Sequence, residues 1–163
     1  MKHGYSSLQI ALHWLVLVLV VVNLLLGQSM ARVFEARHGG EAVVSAGPAY
    51  AHIAIGVTIL LTMIARLAAR LSRPVATAPD TPHRLLATLG RINHWAFYAM
   101  LLLIPLLGAI AWFGDSEAAG ELHGLAIVVL LVLIAIHVSA ALFHHFVLGD
   151  GLIRRMLRPT GGT

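Results

Sequence analysis

A chain of 163 residues that is 59% hydrophobic and 11% charged, with mean hydropathy +0.87, is composed as a membrane protein and not as a soluble domain. Its net charge of +4 is arranged by side: Lys2, Arg66, Arg70, Arg73, Arg84, Arg91, Arg154, Arg155 and Arg158 fall at the N-terminus, the second connection and the C-terminus, against Arg32 and Arg37 elsewhere. That asymmetry is a positive-inside signal that puts both termini in the cytoplasm and excludes a nucleic-acid footprint, while the lack of cysteine excludes disulfides, iron-sulfur clusters and covalent c-type haem.

Four apolar runs, about 8–30, 50–71, 92–113 and 122–148, are each long enough for a membrane-crossing helix, which needs ~20 residues. The expected fold is all-α, a single four-transmembrane-helix bundle filling residues 1–163. The first run follows a cationic start and could pass for a signal peptide, but it exceeds the ~7–15 apolar residues of such a segment. It reads as a retained helix with His13 about a turn inside its cytoplasmic end and Trp14 as an interface anchor. Residues 32–47 form a periplasmic connection, irregular or partly helical. The second helix opens at Gly47-Pro48, carries His52 in its first turn, and closes with Arg66 and Arg70 on one face.

Pro74, Pro79 and Pro82 break the next connection, and Thr81-Pro82 predicts a short interfacial helix from His83 to Leu89. The third span holds His94 near its start, then Pro105 and Gly108; a mild kink is expected at the proline. An acidic turn leads into Leu122 to Leu148, where the only ionisable groups are His123, His137, His144 and His145. His123 and His137 are 14 residues apart, which at ~1.5 Å and ~100° per residue separates them by ~21 Å on one face. The closing segment LIRRMLRP reads as an amphipathic tail on the inner leaflet.

Intramembrane histidine is costly and points to function. Matching depths pairs His52 with His123 near the periplasmic surface, and His13 with His137 in the cytoplasmic half. Two facing imidazoles can clamp a haem iron inside a bundle, and Ala51, Ala54, Gly56, Gly124, Ala126, Ser139 and Ala140 would leave room for a porphyrin. Zinc is a weaker fit, since no carboxylate lies within the four apolar runs. Spacing alone leaves His94 in competition with His13. His144 is either a proton donor beside a quinone or an exposed rim residue. Arg66 and Arg70 either bind haem propionates or quinone oxygens, or anchor the helix by snorkelling. Arg32, Arg37 and His38 would draw an anion, opposed by Glu35 and Glu41.

The opening Tyr5-Ser6-x-Leu8-Gln9-Ile10-x-x-His13-Trp14, the early His52, Arg66-x-x-x-Arg70, His94 before Pro105-x-x-Gly108, and the series His123, His137, His144-His145 together resemble the bacterial dihaem cytochrome b561 family. The resemblance runs over nearly the whole chain. It implies two haem b groups, one on His13 and His137 and one on His52 and His123, with His94 a non-ligand and His144 near a cytoplasmic-side quinone. It is strongest to members that pass electrons from periplasmic superoxide to ubiquinone, which implies a superoxide:ubiquinone oxidoreductase of the bacterial inner membrane. The alternative is a cytochrome b subunit that passes electrons from a protein partner to quinone. The connection before the fourth helix is shorter than in some members, and the identity of the donor is most open there.

Overall fold

The computed structural model describes residues 6–40, 42, 45–72, 84–149 and 151–157. Four long helices, α1 (Ser7–Gly39), α2 (Gly47–Ser72), α3 (Arg84–Phe113) and α4 (Glu117–Phe143), are each long and apolar enough to cross a membrane. A π-helical turn (His144–Leu148) prolongs α4, and a short α5 (Leu152–Leu157) follows. No strand occurs among the described residues.

Helix ends follow local chemistry. Ser6 caps α1 through a reciprocal box, accepting the Gln9 N–H at 3.3 Å while its own N–H reaches Gln9 Oε1 at 3.0 Å. Gly40, at φ 70°, closes the helix in the left-handed conformation. Ser116 caps α4 by accepting the Ala119 N–H at 3.3 Å.

Three helices are longer than the apolar runs predicted. The first continues to Gly39 and absorbs half of the expected 32–47 connection, because Val33 and Phe34 still have partners: Val33 is buried and Phe34 packs at Gly120. The expected short helix after Pro82 and the third span are one continuous α3 from Arg84, since Gly90 alone does not break a helix with apolar neighbours. Thr81, Pro82 and His83 lie outside the described residues, as do Pro74, Pro79 and Arg158. The helix α3 runs through Pro105 without interruption. The predicted C-terminal tail is present as α5.

Two hairpins build the bundle. The helices α1 and α2 pack along their length, α3 and α4 do the same, and α2 and α3 join the hairpins less extensively. Close backbone approach of α4 to α1 or α2 is sparse. The central core is one cluster, with Val16, Val20, Ile59, Met63, Tyr98, Leu101 and Leu130. Apolar side chains such as Leu25, Leu61, Ile92 and Val132 face outward, as a bilayer requires and water does not favour.

The end of the bundle with the two short connections (the far end) is fastened by Arg37. Its guanidinium donates to the Trp112 carbonyl at 3.1 Å, pairs with Asp115 at 3.2 Å and lies 5.1 Å over the Trp112 ring. At the opposite, near end, Arg70 stacks on Trp95 and Tyr98 at 5.3 and 5.5 Å, and Trp14 Nε1–H donates to the Met156 carbonyl at 3.0 Å, tying α5 to α1. A Cβ at Gly120 would lie 3.2 Å from the Phe34 ring, so the α1–α4 crossing depends on glycine there. Gly120→Val is expected to overpack it and cost about 1–3 kcal/mol, read as a lower midpoint of thermal unfolding in detergent.

Candidate functional site in two stacked layers

Each helix carries a pair of notable residues 14 positions apart: His13 and Gly27 on α1, His52 and Arg66 on α2, His94 and Gly108 on α3, His123 and His137 on α4. Fourteen residues are nearly four turns, so each pair shares a helix face and is separated by ~21 Å. The bundle therefore has two layers. Gly27, His52, Gly108 and His123 form the far layer; His13, Arg66, His94 and His137 form the near one.

The far layer lines a cavity of about 990 Å³, at the upper end of the range for cofactor sites. The rings of His52 and His123 face each other across it with centroids 6.3 Å apart. Each imidazole is seated on a backbone carbonyl of a neighbouring helix: His52 Nδ1 lies 3.1 Å from the Asn23 oxygen and His123 Nδ1 lies 2.8 Å from the Ile104 oxygen. A carbonyl only accepts, so Nδ1 carries the proton in both rings and Nε2 keeps its lone pair for a ligand.

The two seats share a design. Four residues beyond each acceptor stands a glycine, Gly27 after Asn23 and Gly108 after Ile104. A helical side chain covers the turn preceding its own Cα, so Gly108 leaves the Ile104 carbonyl uncovered for His123. The fit is tight at Gly108, where a Cβ would stand 3.1 Å from His123 Nδ1 and Cε1, and open at Gly27, where it would meet nothing within 4 Å.

In the near layer the His13 and His137 centroids are also 6.3 Å apart. His94 lies 5.5 Å from His137, nearly perpendicular to it, and directs Nδ1–H to the Gly90 carbonyl of its own helix at 2.6 Å. Phe97 closes on His137 at 5.4 Å. Arg66 is near enough to His13 for their charges to interact, and its Nη1 is buried with no hydrogen-bond partner among the described residues.

Two imidazoles on opposite sides of one metal, each nitrogen ~2 Å from it and each centroid ~1.1 Å behind its nitrogen, have centroids ~6 Å apart. Both facing pairs fit that spacing and His94 with His137 falls short of it. The cavity, the free Nε2 atoms and the glycines Gly27 and Gly124, which meet open space, suit a flat macrocycle between the two hairpins.

Other predicted residues separate. Arg70 is committed to its aromatic stack, unlike Arg66. His144 is half-buried at the near end and begins the π-helical turn; His145 is exposed and stacks on Phe146. Arg37 is paired with Asp115, and His38 Nε2 is 3.5 Å from the same carboxylate, so neither is a free attractor of anions. Of the small residues expected to make room, Gly56 and Gly124 line the cavity, while Ala51, Ala54, Ser139 and Ala140 are exposed and Ala126 is buried. Gly27, Gly108 and Gly120 also line it. The sequence reading gave none of them that part, although the 14-residue spacing from His13 and His94 marks the first two.

The family described as prokaryotic cytochrome b561 matches residues 4–159. A cytochrome b562 of Cereibacter sphaeroides is 35% identical over 157 residues, covering 96% of each chain. A protein of Yersinia pestis named probable superoxide oxidase CybB is 26% identical over 183 residues, covering 99% of this chain and 100% of that one.

Substitution at the two seats should act in opposite directions. Gly108→Ala crowds His123 and is expected to cost about 1–3 kcal/mol. Gly27→Ala meets open space, and the helical preference of alanine makes it neutral or stabilising by up to ~1 kcal/mol. Unfolding of the two purified variants side by side measures the difference.

Proposed function

We propose a specific reaction for this chain, which belongs to the prokaryotic cytochrome b561 family and is a multi-pass bacterial membrane protein that binds haem b and carries electrons. The chain holds two haem b groups, one between His52 and His123 and one between His13 and His137, and moves electrons from superoxide at the far end to ubiquinone at the near end. It works in the inner membrane, with the near end in the cytoplasm on the positive-inside argument. The observation that carries this reading is the pair of facing imidazole couples at 6.3 Å, each joining one hairpin to the other.

Held by His52 with His123 and by His13 with His137, haem b would supply one-electron exchange. Each of two superoxide ions gives up one electron and leaves as dioxygen; one quinone gains two electrons and two protons. The protein's part is positional. The Asn23 and Ile104 carbonyls hold the Nδ1–H of His52 and His123, aim Nε2 and raise its basicity. Arg66, half-buried with its Nη1 lacking a hydrogen-bond partner among the described residues, offers a cation to a propionate or to a quinone oxygen gaining charge. His144, at the near-end rim where π-helical geometry begins, is placed to deliver a proton. The relative named probable superoxide oxidase supports superoxide as donor.

One observation favours a second reading, a protein donor. The cavity lining includes Glu35, Glu117 and Glu121 at the far end, while Arg37 is neutralised by Asp115. That surface repels a small anion and complements a basic protein.

His52→Ala is expected to halve the haem bound per chain in a pyridine haemochromogen assay; an unchanged content would remove His52 from the site. A superoxide pulse to the anaerobic protein without quinone should raise reduced b-type bands that added ubiquinone then bleaches. Bands that dithionite raises and superoxide does not would select the protein donor.

A further inference from the structure

The two layers differ in what surrounds them, and the differences point one way. In the far layer, both imidazoles donate Nδ1–H to a carbonyl, at 3.1 and 2.8 Å. Such a bond gives the ring partial imidazolate character, strengthens its donation through Nε2 and stabilises the more positive state of a metal bound there. The carboxylates of Glu35, Glu117 and Glu121 act in the same sense from the cavity wall. In the near layer neither His13 nor His137 makes such a bond to a carbonyl among the described residues, and the guanidinium of Arg66, half-buried with Nη1 buried and unpartnered, lies close enough to His13 for their charges to interact. A half-buried cation, less screened than one in open water, stabilises whatever neighbouring state has gained an electron.

We propose that the His52–His123 site has the lower reduction potential and the His13–His137 site the higher, with Arg66 as the residue that sets the higher one. This deepens the dihaem reading and rests on it. The biased step is a single-electron transfer from the far layer to the near layer; the electron enters from superoxide or a basic protein donor, and electrons leave in twos to a quinone. Arg66 is then a positioning residue for charge, acting through the field it places on the near layer. Its register, 14 residues after His52 on the same face of α2, puts it at the depth of His137 and away from the far pair.

Redox titration of the purified holoprotein, followed at its visible bands, tests the ordering. The wild type should titrate as two one-electron components. His52→Ala should keep only the upper component and His13→Ala only the lower. Arg66→Gln should move the upper midpoint down and leave the lower in place, and Arg66→Lys, which keeps the charge, should restore it. A His52→Ala protein that titrates at the lower midpoint overturns the proposal, as does an Arg66→Gln protein with both midpoints unmoved. Should a histidine variant lose both haems, the Gln and Lys variants at position 66 decide alone. A wild type that binds a single haem contradicts the dihaem reading itself, so the two failures are distinguishable.

Discussion

An imidazole inside an apolar bundle has two nitrogens to satisfy, and His52 and His123 satisfy only Nδ1 among the described residues. Water is not at hand to take the other. The arrangement around them follows from that constraint. A helix carbonyl already engaged with its own backbone has a second lone pair, but a neighbouring side chain ordinarily covers it. Glycine four residues on, at Gly108, removes the cover and lets the His123 ring settle against the backbone, whereas His52 reaches the Asn23 carbonyl with open space around Gly27. What remains is an Nε2 lone pair on each of two rings whose centroids are 6.3 Å apart, a spacing that fits one metal between two imidazoles.

The same constraint explains the shape of the bundle. Helices that packed tightly on all sides would leave no room between facing histidines. Here each hairpin packs tightly within itself, α2 and α3 hold the hairpins together, and α4 stands off from α1 and α2. The hairpins are further joined at the far end by Arg37 on Trp112 and Asp115 and at the near end by Arg70 on Trp95 and Tyr98. A cavity of about 990 Å³ within so small a bundle forgoes much packing, so a group that fills it and ligates both hairpins adds stability as well as redox chemistry.

Much of this was legible in the sequence, because membrane helices obey two simple periodicities. Length and hydropathy placed the four spans, and the 14-residue interval between His123 and His137 placed two depths on one face. The helix ends were less legible. Hydropathy marks where the chain is apolar, whereas α1 continues to Gly39 through polar residues because Phe34 still has Gly120 to pack on. Beyond the two histidine pairs, which depth matching gave, partnerships across helices were not legible. Nothing in the order of residues says that Arg70 stacks on Trp95 while Arg66 Nη1 lacks a partner among the described residues, or that Asp115 neutralises Arg37. The carbonyl seats leave no residue type to read, since every residue has a carbonyl. The trace of the His123 seat is Gly108, four positions after Ile104 and in register with His94 on the same helix.

The central claim is that each facing imidazole couple binds a haem on both sides. Low-temperature electron paramagnetic resonance of the oxidised, haem-quantified protein tests it most directly. Two distinct low-spin ferric signals, together integrating to two haems per chain, are the predicted result. A high-spin ferric signal of comparable size, or a single low-spin species at one haem per chain, would contradict it.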